Sequence, residues 1–201
     1  MKIVLFYNYT LPETGNYKLI KGSTMKKTVV FVILVAALVS VPFTSFAQSD
    51  VKHFQISVFD PVQIHDSSTS IHGVRISLFY GVNQDVHGLD WGLVHKVNGD
   101  MIGLQSGVVN LVEGDVMGYQ DGIVNHVRGD FYGWQSGFVN ISKSKFVGYQ
   151  SGWINYANDM SGVQFGLVNI ADSLYGLQIG LVNINKSGDP HYFLPIVNFS
   201  F

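Results

Sequence analysis

The chain is organised by a short alternation of apolar and polar positions that recurs many times. In one representative stretch, one face carries Met101, Gly103, Gln105, Gly107 and Val109, and the other carries Ile102, Leu104, Ser106 and Val108. A period of two residues predicts a β-strand, because successive strand side chains point to opposite sides. Two glycines in each stretch also disfavour a helix. The pattern therefore predicts an all-β protein.

The alternation belongs to a repeat of 14–15 residues whose best form is G-x-Q-x-G-Φ-V-N, where Φ is apolar. Its first glycine recurs at Gly73, Gly88, Gly103, Gly118, Gly133, Gly148, Gly162 and Gly176. Two polar columns accompany it, the glutamines Gln105, Gln120, Gln135, Gln150, Gln164 and Gln178 and the asparagines Asn110, Asn125, Asn140, Asn155, Asn169 and Asn183. In the first two units Arg75 and Asp90 replace the glutamine, and Tyr80 and His95 replace the asparagine. Such self-similarity is typical of a repeat fold, here over residues 73–187.

Short turns separate the predicted strands. They occur at Asn98-Gly99-Asp100, Glu113-Gly114-Asp115 and Arg128-Gly129-Asp130. An X-Gly pair between alternating segments is typical of a two-residue hairpin in which the glycine has a positive φ. On that interpretation Gln105 faces Gly122 across an antiparallel pair, so that a long side chain fills the space over a glycine.

Two folds fit the repeat. Our first prediction is a closed antiparallel β-barrel or meander of short strands, with apolar residues outside. The alternative is a β-solenoid with one 14–15-residue coil per repeat, in which Gln105 lies beside Gln120. One apolar column varies from Val163 to Trp134, which favours a surface facing lipid or a wide cavity over a thin core. Asp121 argues against a plain transmembrane barrel, because a carboxylate facing lipid is costly.

The N-terminal region has the layout of an export signal. Met25-Lys26-Lys27 is basic, Val29 to Val41 is almost wholly apolar, and Ser45-Phe46-Ala47 places small residues before a cleavage site. The apolar run is shorter than the roughly 20 residues of a membrane-spanning helix. We therefore expect a signal peptide over residues 25–47 and a single β-repeat domain over residues 48–201. Residues 1–24 are expected to be a mis-called N-terminal extension.

The segments outside the repeat are also predicted to be strands or loops. Phe54 to Gln63 alternates and should form an N-terminal strand, whereas His65 to Ser70 is polar and should be a loop. The closing segment, residues 188–201, ends in an aromatic residue, as the last strand of outer-membrane barrels does. Pro195 restricts this segment to an edge strand or a cap. In the solenoid alternative it caps the stack of coils.

Composition excludes several classes of function. Only 13% of the residues are charged and the net charge is −2, so there is no basic field and we predict no nucleic-acid partner. The chain has no cysteine, which excludes disulfides and thiol chemistry. With so few charges, much of the apolar surface of the chain has to be buried in a core, against a partner or in lipid.

No catalytic, cofactor-binding or metal-binding residues are predicted. The seven histidines show no H-x-H or H-x-x-x-H spacing, and we expect none of them to repeat in register. No set of Ser, His and Asp stands out from the repeat, so an enzyme is not expected. The glutamine and asparagine columns are predicted to be structural, with Gln filling space over glycine and Asn bonding backbone near a strand end. A ligand-binding residue cannot be named from the sequence.

The G-x-Q-x-G-Φ-V-N units, together with the closing Leu194-Pro195-Ile196-Val197-Asn198-Phe199-Ser200-Phe201, resemble an uncharacterised family of bacterial surface-repeat proteins. The resemblance covers roughly residues 54–201. It implies export and an envelope or surface location, and it brings no catalytic residues.

The sequence thus leads to a non-catalytic, exported envelope protein that is associated with the outer membrane and has a structural or surface role. The alternatives are a surface-exposed β-solenoid binding scaffold and a carrier of an apolar ligand. In the carrier, the Tyr, Trp and Leu columns would line a cavity.

Overall fold

A computed structural model describes residues 51–201, and the predicted signal peptide and N-terminal extension lie outside the described residues. The strands are β1 Lys52–Phe59, β2 Val62–Gln63, β3 Ile71–Asn83, β4 Val86–Val97, β5 Met101–Ser106, β6 Val109–Val112, β7 Val116–Val127, β8 Phe131–Asn185 and β9 Phe193–Ser200. Residues 51–201 contain no helix. The all-β prediction is therefore confirmed.

Successive repeats pair in parallel and in register. Gly103 lies opposite Gly118, and Gln105 lies opposite Gln120, with the same offset of one repeat from β3 through β8. Parallel neighbours one repeat apart define a β-solenoid, in which every repeat is one coil. The predicted antiparallel barrel or meander is wrong, and the solenoid alternative is confirmed.

Each coil is flattened into two sides. In the coil of residues 116–130, a long side runs over residues 116–121 and a short side over residues 124–127, and both sides pair with the next coil. The two sides face each other across the interior, where Gln150 Nε2 of a long side donates to Tyr156 O of the short side (3.3 Å). The chain turns one corner at residues 122–124, and residues 128–130 form the other corner.

Each regular coil turns four side chains inward, two of them mostly apolar. The apolar positions form stacks, Ile71, Val86, Met101, Val116, Phe131, Phe146, Met160 and Leu174 on the long side and Val97, Val112, Val127, Ala157 and Ala171 on the short side. The rings of Phe131 and Phe146 lie 4.6 Å apart and almost parallel (6°). That separation matches the roughly 4.8 Å between neighbouring strands, so identical residues in adjacent coils pack face to face.

Inward and outward positions do not alternate strictly around the coil. Val108 and Val109 are consecutive, and neither is buried, whereas Asn110 is fully buried. The chain turns a corner here, and a corner accommodates two outward side chains in succession. The shift brings the asparagine column inward together with the glutamine column. A strict period of two from Gln105 would have turned it outward.

The glycines that adopt a positive φ are not the predicted ones. Gly99, Gly114 and Gly129 do not have the positive φ expected of hairpin turns, which is instead found at the first glycine of each repeat, such as Gly118 (φ 137°). A Cβ on Gly118 would collide with the carbonyl oxygen of Gly103 in the preceding coil. The turn glycines are required for space, because a Cβ on Gly114 would meet Gly99 O at 2.5 Å.

Separate segments close the two ends of the solenoid. The predicted N-terminal strand forms β1, which pairs in parallel with β3, and the short β2, which pairs antiparallel with β1. At the other end β9 pairs antiparallel with the last coil, so that Asn198 lies opposite Gln178 and is fully buried. The closing segment therefore caps the stack, as the solenoid alternative predicted.

Candidate functional site

The glutamine column is a continuous chain of side-chain hydrogen bonds through the interior. Each Nε2 donates to the Oε1 of the glutamine one coil earlier, from Gln178 to Gln164, Gln150, Gln135, Gln120 and Gln105 at 2.7–2.8 Å. All six side chains have zero exposed area. Because the amides point the same way, every inner member both donates and accepts one bond within the column. The predicted contact of glutamine with glycine does not occur.

The asparagine column forms a second chain that runs in the opposite direction. Asn125 Nδ2 donates to Asn140 Oδ1 of the following coil (2.8 Å), and its other hydrogen bonds the backbone oxygen of Ser136 (2.7 Å). The same pair of bonds recurs from Asn110 to Asn169. The second glycine of the repeat makes room for it, since a Cβ on Gly137 would lie 2.6 Å from Asn125 Nδ2.

The glutamine chain ends on a buried ionic cluster in the first coils. Gln105 Nε2 donates to Asp90 Oδ2 (2.8 Å), and Arg75 donates to both oxygens of Asp90 through Nε (2.7 Å) and Nη2 (2.6 Å). His95 Nδ1 lies 2.9 Å from Asp90 Oδ1. The carboxylate thus receives the last donor of the chain, and the bidentate arginine neutralises it.

The electrostatics of this cluster favour the ionised carboxylate. Burial alone raises the pKa of Asp90, but the Arg75 charge and the hydrogen bonds from His95 and Arg75 outweigh it and hold the pKa well below its usual range. Asp90, Arg75 and His95 are all buried. The cluster therefore resembles a structural termination of the column more than a site open to substrate.

Near the N-terminal end the structure differs from two of the sequence-based predictions. The structure places Gly81, not Tyr80, opposite His95 in the asparagine column, because the register shifts between Ser77 and Tyr80. The expectation that no histidine repeats in register is also wrong. His72 lies opposite His87, and their rings stack 4.2 Å apart. Burial and then the neighbouring His87 lower the pKa of His72.

The sequence itself contains a signal for the ionic cluster. Arg75 and Asp90 occupy the same column 15 residues apart, so in a solenoid they have to be neighbours. Both residues replace the glutamine of the repeat, they carry opposite charges, and they lie one period apart. This combination indicates a buried ion pair between coils.

The outer surface carries the variable positions of the repeat. The apolar column after the first glycine points outward and includes Leu104, Tyr119, Trp134 and Tyr149, with edge-to-face contacts between Trp134 and both tyrosines (5.8 and 5.3 Å). These residues lie on the outer surface and not in the interior of the coils. The variation from valine to tryptophan is tolerated because the column lies outside the core.

A polar strip crosses the long side next to this column. Its members Ser106, Asp121, Ser136 and Ser151 are half-buried between the outer aromatic residues. Burial and then the nearby Asp121 carboxylate raise the pKa of Tyr119. Asp121 therefore lies half-buried beside Tyr119 on the outer face of the solenoid.

No protein-family model, curated protein or solved structure matches the chain, so the family resemblance stays a prediction. Among residues 51–201, no three His, Cys, Asp or Glu side chains converge on a point where they could hold a metal ion. No helix in the same part of the chain is long and apolar enough to cross a membrane. The candidate functional site is consequently the outer surface, the place where exposed chemistry varies from coil to coil.

Proposed function

We propose that this chain is an exported, non-catalytic scaffold of the bacterial envelope that binds its partner through the outer surface of the solenoid. One observation carries the proposal. The constant positions of the repeat, exemplified by Gln120 and Asn125, are wholly buried, whereas outward positions vary and carry large apolar side chains such as Trp134 and Trp153. A rigid interior with a variable exterior is the arrangement of repeat proteins that act as binding scaffolds.

Two further features support a non-catalytic role. The glutamine and asparagine columns have no exposed area, so they are inaccessible to a ligand from solution. The ionic cluster of Arg75, Asp90 and His95 lies in the interior. Its polar groups bind to one another across neighbouring coils and are not open to substrate. The exposed turn charges are occupied as well, since Arg128 Nη1 donates to Glu113 Oε2 at 2.7 Å. Large, half-exposed apolar residues are the surface feature that most needs a partner.

The proposal is tested by expressing the full chain with its own signal in a Gram-negative host. We expect N-terminal sequencing to find Gln48 at the start of the exported form, and the protein to be retained in the envelope fraction. The double variant Trp134→Ser/Trp153→Ser should be exported and folded but released into the soluble fraction. If the chain stayed in the cytoplasm with its signal uncleaved, the proposal would be contradicted.

A matched control changes two exposed charged residues of the corner that includes residues 128–130 and its equivalent in the next coil. The variant Arg128→Ser/Lys143→Ser should be retained like the parent, because both residues are exposed charges and their replacement removes none of the large apolar side chains. If the parent and both variants were released equally after export, the outer surface would have no binding role.

A further inference from the structure

The charged residues of the solenoid concentrate along one corner. We call this corner the turn edge, and it comprises residues 98–100, 113–115, 128–130 and 143–145 with their continuation through Asp159, Asp172 and Lys186. Its aspartates hold the turns, since Asp115 N donates to Asp100 Oδ1 (2.8 Å) and Asp130 N to Asp115 Oδ1 (2.7 Å). This edge requires water around it.

The opposite corner contains no ionisable side chain in the regular coils. We call it the apolar edge, formed by Leu93–Val94, Val108–Val109, Ile123–Val124, Phe138–Val139, Trp153–Ile154, Leu167–Val168 and Leu181–Val182. At about 4.8 Å per coil, these seven pairs form a ridge on the order of 29 Å long. A continuous apolar ridge of this length exceeds the scattered apolar residues of an ordinary surface.

The tryptophans of the described chain all lie on the outside. Trp91, Trp134 and Trp153 are 66%, 51% and 57% exposed, although tryptophan is usually highly buried. Trp153 belongs to the apolar edge, and Trp91 lies on the long side next to it. Tryptophan is enriched where one end of the ring is apolar and the other is wet, as at a membrane–water interface.

We propose that the apolar edge lies in the interfacial region of a lipid bilayer, with the turn edge facing water. This inference rests on the proposed function and names the partner of the outer surface. The turn edge carries the charges and suits water, whereas the apolar edge suits the acyl region. Amphipathic segments that lie in the membrane interface have the same separation of charged and apolar faces.

The backbone of the apolar edge permits this contact. Val108 N donates to Leu93 O (2.7 Å) and Val124 N donates to Val108 O (3.0 Å), so these corner amides are paired with the coil before them. An apolar medium tolerates only backbone whose polar groups are satisfied internally. These corner groups meet that condition although they do not belong to a helix.

On the long side of the ridge, the polar strip of Ser106, Asp121, Ser136 and Ser151 limits the depth of insertion. On the long side Asp121 lies two residues before Ile123, and on the short side His126 lies two residues after Val124. Both are partly exposed. The ridge therefore enters the acyl boundary, and Asp121 stays at headgroup depth, where a carboxylate costs little.

A second copy of the chain fits the ridge less well than lipid does. Two convex ridges about 29 Å long touch along a strip of roughly one side chain's width, on the order of 200 Å² per copy from strand spacing alone. A stable interface needs about 800 Å² per partner. Lipid can surround a convex edge, whereas a protein partner would need a groove of matching shape.

The test uses tryptophan fluorescence of the exported, processed protein with vesicles of phosphatidylcholine or of phosphatidylethanolamine and phosphatidylglycerol. We expect a blue shift and co-flotation with both, because the apolar edge binds acyl chains and not one headgroup. The variant Ile123→Ser/Leu167→Ser should lower the vesicle partition constant about tenfold or more, since two exposed apolar side chains lose their burial.

The matched control removes as many apolar side chains far from the ridge. Ile102→Ser/Met117→Ser alters the long side next to the turn edge, and its partition constant should stay within about twofold of the parent. Equal losses in both variants would overturn the proposal, as would the absence of a shift or of flotation with either vesicle. Circular dichroism melting checks that both variants fold.

A second measurement does not depend on the ridge variants. Two single-tryptophan proteins, one retaining Trp153 and one retaining Trp134, are prepared by changing the other two tryptophans to phenylalanine. Lipids brominated on the acyl chain should quench Trp153 more strongly than Trp134. Equal quenching, or stronger quenching of Trp134, would place a different surface in the membrane.

The outcomes separate this inference from the proposed function. Retention in the envelope without vesicle binding would overturn the lipid partner and leave a protein or glycan partner of the scaffold. Vesicle binding by a processed protein that is not retained in the envelope fraction would overturn the envelope function alone. A blue shift without lipid, with a doubled mass by light scattering, would make the ridge an interface between two copies.

Discussion

The glutamine column offers a direct test of how the interior is stabilised, through the substitution Gln120→Met. Methionine has a similar length and no amide, so it removes hydrogen bonds with little change of volume. Two bonds are lost, from Gln120 Nε2 to Gln105 Oε1 and from Gln135 Nε2 to Gln120 Oε1, both 2.7 Å long. The neighbours Gln105 and Gln135 remain fully buried.

The expected magnitude follows from the two groups that lose their partners. Gln105 Oε1 loses its donor, and Gln135 Nε2 loses its acceptor. Each unsatisfied buried group costs roughly 1–3 kcal/mol, so the free energy of unfolding should fall by about 2–6 kcal/mol. Total stabilities of about 5–15 kcal/mol make this a large effect.

Urea denaturation followed by far-ultraviolet circular dichroism measures the change. The matched control is Gln84→Met, because Gln84 is exposed in the loop between β3 and β4. The same chemical change there should alter stability by less than about 0.5 kcal/mol. If Gln120→Met were as stable as Gln84→Met, the column would contribute no net stability, and the argument from unsatisfied amides would be refuted.

Three further predictions address the ionic cluster, the first glycine and the topology. Asp90→Ala should lower the free energy of unfolding by roughly 3–5 kcal/mol at pH 7, because it leaves Arg75 as an uncompensated buried charge. Since the folded pKa of Asp90 is depressed, its contribution is present above the unfolded value near 4 and is lost as the pH falls below it. Melting temperatures of the parent and variant should therefore converge towards acid pH, and a constant gap down to pH 3 would contradict this. Gly118→Ala should lower the free energy of unfolding by more than about 1–3 kcal/mol, because the positive φ and the Gly103 carbonyl both oppose a Cβ. Gly188→Ala, with no atom within 4 Å of the added methyl, should cost less in the same urea titration. The double variant Met117→Cys/Tyr132→Cys should form a disulfide on mild oxidation, since these residues are opposite each other in adjacent coils. Met117→Cys/Ile123→Cys should stay reduced in gel-shift assays, and the reverse result would exclude the solenoid register.

The sequence alone determined the strands, the repeat length and the interior role of the glutamines. Period-two alternation around Gln105 with two glycines per unit leaves an extended chain as the one regular structure, because both signals are local. The columns also follow directly, since a fixed period has to place equivalent residues at equivalent positions. The solenoid was accordingly recognised as one of two possible folds.

The tertiary structure decided between parallel coils and antiparallel strands. Antiparallel pairing would match the size of Gln105 to that of Gly122, one pair at a time. Parallel stacking instead hydrogen-bonds each buried amide to the next along the whole column. Local alternation is identical in the two folds, so it cannot distinguish a turn that reverses the chain from a corner that continues the coil. The turn glycines were misjudged for the same reason.

The path of the chain around the corner also decided which residues face the interior. Val108 and Val109 both point away from the core, and this slip of one residue turns Asn110 inward. Strand periodicity cannot predict such a slip, because it arises from closing the coil. In-register stacking of the coils brings Arg75 against Asp90. The aromatic columns stay outside, so the composition of the surface became visible only when the coils were stacked.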